Sequence, residues 1–254
     1  MSSTVQRICR YPVKGLSPEN LEQAELIPGE GLPGDRCYAI ALSTTRFDPA
    51  APQPLSKTSF LMLMRNERLA ALETAFDAEQ SILTIQRDGK QVARGNLNLP
   101  VGRAMIGDFF AAYFKDEVAG KPKVLVAPAE HMFSDNGERG LSIINLATVR
   151  DLERVVGEAV DPIRFRANLY IDGAEPWAEL GWIDQELAIS GARLQVTARI
   201  DRCAATTVRP GVGVRDINIP QALKRGFGHI DCGVYARTLT KGPIAVGDTV
   251  TGAD

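Results

Sequence analysis

The chain of 254 residues carries 29 Lys and Arg against 31 Asp and Glu, a formal net charge of -2, and is 44% hydrophobic and 24% charged. So near a charge balance excludes a nucleic-acid backbone as partner, which would call for clustered Lys and Arg in clear excess. The length suffices to bury a full core and lies between one large domain and two small ones.

Residues 1–10 lack the apolar core of a signal peptide, and no later apolar run approaches the roughly 18 residues that span a bilayer. The expectation is a soluble, cytoplasmic protein with no membrane partner. The cysteines, Cys9, Cys37, Cys203 and Cys232, form no C-x-x-C pair and no closely spaced framework, which suits a reducing compartment and makes a structural disulfide the minority reading.

β signals dominate the first half. Segments 24–27 and 37–42 flank the turn-rich stretch 28–34, and segments 82–85 and 91–93 flank Asp88-Gly89, a strong hairpin signal, so antiparallel pairing is expected in both places. Pro49, Pro52 and Pro54 punctuate a loop. In residues 65–76, Ala and Leu favour helix against a strand alternative. Residues 105–114 predict a short helix with an aromatic face, and Gly120-Lys121-Pro122 marks a lobe boundary that divides 1–120 from 121–254. Asn145 is a candidate N-cap for a helix carrying Leu146, Val149, Leu152 and Val156, with Gly157 as its stop. Strands are expected over 165–171, at Leu187 and Ile189, and along the alternation Leu194, Val196, Ala198, Ile200, together forming a closed or half-closed sheet. A short helix over 218–225 would be stopped by Gly226, and 232–238 reads as a strand with Cys232 buried.

If the alternating strand ends near Ile200, then Asp201, Arg202 and Cys203 lie at its exit, where side chains can face a cleft. A guanidinium beside a thiol favours the thiolate, the form that binds soft metals or attacks electrophiles. Against this, a lone cysteine in such a run is more often a small buried hydrophobe. His131 and His229 form no Cys/His cluster, so a tetrahedral zinc site is not expected. His229 reads as a packed structural residue and His131 as exposed. A Cys203–His229 nucleophile pair has no sequence feature that brings it together.

The motif Arg202-Cys203-x-x-Thr206-Thr207-Val208-x-Pro210 is followed by Gly228-His229-x-x-Cys232-Gly233-Val234-Tyr235-Ala236 and then Gly242-Pro243-Ile244-x-x-Gly247-Asp248. Upstream stand Tyr11-Pro12-Val13-Lys14-Gly15, Pro33-Gly34-Asp35-Arg36 and Arg164-Phe165-Arg166-Ala167-Asn168. This order resembles the MOSC (molybdenum cofactor sulfurase carboxy-terminal) family along nearly the whole chain. The resemblance implies a mainly β, α+β fold of two lobes: an amino-terminal β-barrel lobe and an antiparallel, barrel-like MOSC domain. It also implies that Cys203 coordinates molybdenum held by a pyranopterin dithiolene, sulfur ligation suiting that soft site, and that Lys14, Arg36, Arg166, Asn168, Arg202 and Thr206 bind the anionic cofactor. Relative to family members that reduce amidoximes, Gly15 stands where a hydroxyl residue often follows the lysine, Ala167 replaces proline, and Asp201 replaces serine.

By that resemblance the chain is an oxidoreductase that reduces N-hydroxylated compounds. Scattered cysteines provide no iron-sulfur cluster, so electrons would come from a separate ferredoxin-like or flavin reductase. The alternative is a non-catalytic carrier of the molybdenum cofactor, or of sulfur on Cys203. A pyridoxal-phosphate site, inferred for such domains through their sulfurase relatives, finds no lysine with a supporting flank.

Overall fold

The computed structural model describes residues 2–135, 137 and 139–252. Among these the strands are β1 (Ser2–Arg10), β2 (Val13–Lys14), β3 (Glu19–Leu21), β4 (Gln23–Leu26), β5 (Tyr38–Ala41), β6 (Glu73–Asp77), β7 (Ile82–Arg87), β8 (Lys90–Asn96), β9 (Lys123–Val126), β10 (Leu141–Asn145), β11 (Leu169–Asp172), β12 (Glu186–Ile189), β13 (Ala192–Asp201), β14 (Asp231–Thr240), β15 (Gly242–Ala245) and β16 (Thr249–Gly252). The α-helices are α1 (Pro100–Tyr113), α2 (Leu146–Val156) and α3 (Ile219–Phe227). None is long and apolar enough to cross a membrane.

β1, β11, β10, β14, β13, β12 and β16 pair in that cyclic order, and the β16–β1 contact closes them into a seven-stranded barrel. Pairing is antiparallel except between β10 and β11, which run parallel. Parallel neighbours need a crossover, and α2 is part of the one that supplies it. The expected alternation fills the interior as far as Val196, with Val5, Ile143, Leu169, Leu194, Val196 and Val234 buried in one apolar cluster, but the register shifts between Val196 and Ala198 and leaves Ala198 exposed.

The first half of the sequence forms two three-stranded sheets, β2-β5-β9 and β6-β7-β8. Asp88 (φ 52°) and Gly89 (φ 71°) make the expected tight turn between β7 and β8, and both left-handed residues match the twist of the paired strands. The other expected hairpin does not form. β4 pairs with β15, while β5 pairs with β2 and β9, because the stretch 28–34 carries the chain from one half to the other. In space the halves interlock: β1 closes the barrel of the second half, and β9, just past residue 120, joins a sheet of the first.

Residues 67–71 form a single 3-10 turn and β6 follows directly, so the ambiguous segment 65–76 contains both short turn and strand. α1 starts five residues before the expected helix, with Pro100 in its first turn, where a missing N–H costs nothing. Gly102 lets it lie against β8; a Cβ there would stand 2.1 Å from the Asn96 carbonyl oxygen.

Asn145 caps α2 by accepting from Ala147 N at 3.1 Å, and Gly157 ends it at φ 87°. α3 runs through Gly226 and stops at Gly228. Gly226 is a packing position instead: a Cβ there would meet Val155 of α2 at 2.8 Å. Phe165 lies in a 3-10 turn and β11 begins only at Leu169. His131 is half-buried against Phe47 and Phe133 rather than exposed.

Glu179 is fully buried beside α2. Its Oε2 accepts from Thr148 Oγ1 at 2.9 Å and Asn145 Nδ2 at 3.1 Å, and its Oε1 has no partner. Burial pushes its pKa up, so the folded protein binds this proton more tightly than the unfolded chain does. Its charge therefore costs stability above the folded pKa and costs nothing below the unfolded one. Glu179→Gln is expected to be the more stable protein at pH 7.5, with its advantage over wild type shrinking as pH falls toward 5. Urea denaturation at both pH values checks this.

Candidate functional site

β13 ends at Asp201, and the chain then passes Cys203 in an extended conformation (φ -100°, ψ 177°) into a 3-10 turn, Ala204–Thr207. This turn forms one wall of a cleft of about 260 Å³, whose other walls come from residues 14–15 and 36, residues 57 and 61–64, residues 132, 134–135, 140 and 142, and the 164–168 segment. Every residue singled out in the sequence, namely Lys14, Arg36, Arg166, Asn168, Arg202, Cys203 and Thr206, lines this one cleft.

Their side chains divide into two groups. Asn168 Oδ1 accepts from Ser142 N at 3.1 Å and Ser142 Oγ at 2.9 Å, and its Nδ2 donates to Cys9 O at 3.1 Å. The buried Arg202 donates from Nε to Cys232 O at 2.7 Å and from Nη1 to Phe165 O at 3.0 Å. Thr206 Oγ1 donates to Cys203 O at 2.9 Å. These bonds hold strands and turns together. The guanidinium next to Cys203 in sequence is thus spent on backbone carbonyls.

The second group is cationic. Arg36 and Arg166 both adopt left-handed backbone, φ 48° and 52°, a conformation that costs a non-glycine residue about 1 kcal/mol or more and that gathers at functional sites. Their guanidinium carbons lie 5.0 and 4.3 Å from the centre of the buried Tyr11 ring. Arg36 also pairs with Asp35 and donates from Nη2 to Arg166 O at 3.0 Å. Burial works against the Arg36 charge, but Asp35 overrides it and pushes its pKa up. Burial pulls Arg166 down, helped by the charge on Arg36.

Lys14 is buried, donates to Phe133 O at 2.8 Å and pairs with Asp135. Burial pulls its pKa down, with Asp135 opposing the shift. Arg166 Nη2, Arg164 Nε and Ser134 Oγ, all on cleft-lining residues, are buried without a hydrogen-bond partner among the described residues. Buried polar groups are normally satisfied, so a cleft that orphans three of them is suited to an anionic or oxygen-rich ligand.

Burial pushes the thiols of Cys9 and Cys37 up to about 11 and that of Cys232 up to about 12. Cys203 is half-buried, free of any disulfide and on the cleft. Asp201 also lines the cleft, and Arg199 Nη1 lies 3.9 Å from Asp231. His229 packs against Trp177 at 5.5 Å and accepts from Asp231 N, away from the cleft-lining residues.

The MOSC domain model matches residues 118–251, and the model of the MOSC N-terminal beta barrel domain matches residues 2–120. The chain belongs to the MOSC family. Human mitochondrial amidoxime-reducing component 1 is 29% identical over 120 residues, which make up 42% of this chain and 35% of that protein. The match therefore spans about a third of that relative's length. Among solved structures, the YUAD protein from Bacillus subtilis aligns over 98% of this chain and 94% of its own at 12% identity and a TM-score of 0.45. YiiM from Geobacillus stearothermophilus aligns over 45% and 54% at 16% identity and a TM-score of 0.35.

Sequence reasoning passed over Tyr11 and Arg164 as site residues, although both lie inside the motifs that carry the MOSC resemblance. It also passed over Ser134 and Asp135, which sit in a polar loop with no sequence signal of their own. Tyr11 offers a direct check on the cation-π platform. Tyr11→Phe keeps the ring and loses only a 3.4 Å hydroxyl contact to Tyr170, at a cost of about 1 kcal/mol or less. Tyr11→Leu removes the ring from between its neighbours and is expected to cost about 3 kcal/mol. Chemical denaturation of the two variants measures the difference.

Proposed function

We propose that this MOSC chain binds the molybdenum cofactor in the Cys203 cleft and reduces N-hydroxylated compounds with electrons from a separate reductase. The observation that carries the reading is the pairing of a free, half-buried thiol with buried, unpartnered donors from Arg166, Arg164 and Ser134 on one cleft. The MOSC family is associated with the molybdenum cofactor, and a relative named for amidoxime reduction shares part of the sequence.

The donor set fits such a group. Cys203 offers a soft sulfur ligand, and thiolate ligation suits molybdenum as it does other soft sites. Arg166, Arg36 and Lys14 supply fixed positive charge for an anionic phosphate end, guanidinium forks being matched to phosphate geometry. Asn168, Arg202 and Thr206 keep the walls in place. When bound, the cofactor supplies a two-electron centre that can accept an oxygen atom from substrate. Reduction of an N–OH group to N–H consumes two electrons and two protons and releases water. The electrons would come from an external donor, ferredoxin-like or flavin-dependent.

Expressed in a host that makes the cofactor, the wild type is expected to carry molybdenum by elemental analysis, and Cys203→Ala to lose most of it. The loaded wild type should reduce a hydroxylamine substrate in steady state when given an artificial electron donor. Equal metal content in the two proteins would remove Cys203 as ligand. Metal loading without turnover, together with release to an acceptor protein, would favour the carrier function instead.

A further inference from the structure

The wall that carries Cys203 is tied to the wall facing it by one side chain. Arg215 forms an antiparallel bridge with Val208. Its Nη1 donates to Thr207 Oγ1 at 2.8 Å and to Ala204 O at 3.1 Å. Its Nη2 donates to Met64 O at 2.9 Å, to Glu67 Oε2 at 3.2 Å and to Leu63 O at 3.3 Å. Ala204 immediately follows Cys203, and Leu63 and Met64 line the same cleft. One guanidinium thus bridges segments about 150 residues apart in sequence.

The surrounding geometry makes this contact specific. Gly213, two residues before Arg215, has φ 74°, and a Cβ there would lie 3.0 to 3.1 Å from Ala71 and Glu67 atoms, so the loop is pressed onto the Glu67–Ala71 turn. Asp216, the next residue, turns the other way and accepts from Arg164 Nη2 at 2.7 Å. Arg164 in turn reaches Thr206 O at 3.4 Å. The cysteine turn is therefore held to the Leu63–Met64 segment by Arg215 and to the 164–168 segment by Arg164, which Asp216 pairs.

We propose that Arg215 is a positioning residue: its planar fork fixes the turn carrying Cys203 against the Leu63–Met64 wall and so sets where the Cys203 sulfur stands in the cleft. This rests on Cys203 being the working sulfur, and it holds whether that sulfur ligates a metal or carries a persulfide. A lysine cannot replace the fork, because its donors radiate from a single nitrogen.

Alkylation by iodoacetamide, in which a cysteine sulfur forms a C–S bond, iodide leaves and the thiol proton passes to solvent, reads each cysteine separately by mass spectrometry. Arg215→Lys keeps the charge and is expected to raise the rate at Cys203 about tenfold while Cys37, the other half-buried thiol, changes less than about twofold. An unchanged Cys203 rate in the folded variant overturns the proposal. A loss of fold would instead raise all four cysteines together, and the double variant Glu67→Gln, Thr207→Val then decides. It keeps the guanidinium and removes the Thr207 hydroxyl acceptor and the Glu67 charge, so a rise of about threefold confined to Cys203 supports the proposal, and an unchanged ratio of Cys203 to Cys37 rejects it. In the cofactor-competent host, Arg215→Lys should also hold less molybdenum than wild type. If Cys203→Ala holds as much metal as wild type, the cofactor reading fails, while the alkylation rates still decide the role of Arg215.

Discussion

The site depends on keeping like charges together in a space mostly removed from water. Arg36 and Arg166 would repel each other in a bare cleft. The Tyr11 ring offers both a negative face, and Asp35 ties the arrangement down by pairing with Arg36 and by accepting from Tyr11 N at 2.7 Å. Arg36 then donates to the Arg166 carbonyl, and so helps to hold the Arg166 backbone in its left-handed conformation. A charged ligand therefore meets cations already in place, and little ordering remains to be done when it arrives.

The cysteine and this cationic platform reach the cleft by different routes. Cys203 comes from the end of a barrel strand, whereas Tyr11, Lys14 and Arg36 come from the segments that leave β1 and lead into β5. The barrel gives the sulfur a rigid base, and the interlocked sheets of the first half supply the opposite wall. Long-range side-chain bonds join the two, with Lys14 reaching Phe133 O, Arg36 reaching Arg166 O and Arg215 reaching Met64 O. The geometry of the cleft is thus a property of how the halves meet.

Much of this was legible in the chain itself. Alternation located β13, and its end placed Cys203 at a strand exit. Asp88-Gly89 gave its turn, and Asn145 with Gly157 gave the limits of α2. What sequence could not convey was the direction of side chains. Asn168, Arg202 and Thr206 stand at the cleft, as their motifs imply, and also bond to the protein around them, which the motifs did not convey. Gly226 looked like a helix stop because glycine often is one; its packing against Val155 depends on a neighbour 71 positions earlier. β4 and β5 looked like a hairpin because they are adjacent in sequence, and only the tertiary arrangement assigns them to different sheets.

The place of β1 in the barrel has a consequence for how the molecule is made. Its residues pair with β11 and also with β16, so Ser2 to Thr4 find partners at 249–251. During synthesis, the part of β1 that pairs with β16 keeps an open edge until residues 249–251 have been made. Ring closure from such distant pieces is slow in general, and an unpaired strand exposed meanwhile can join the wrong neighbour. The β2-β5-β9 and β6-β7-β8 sheets, whose partners all lie within residues 13–126, can assemble during that interval and screen part of the waiting segment.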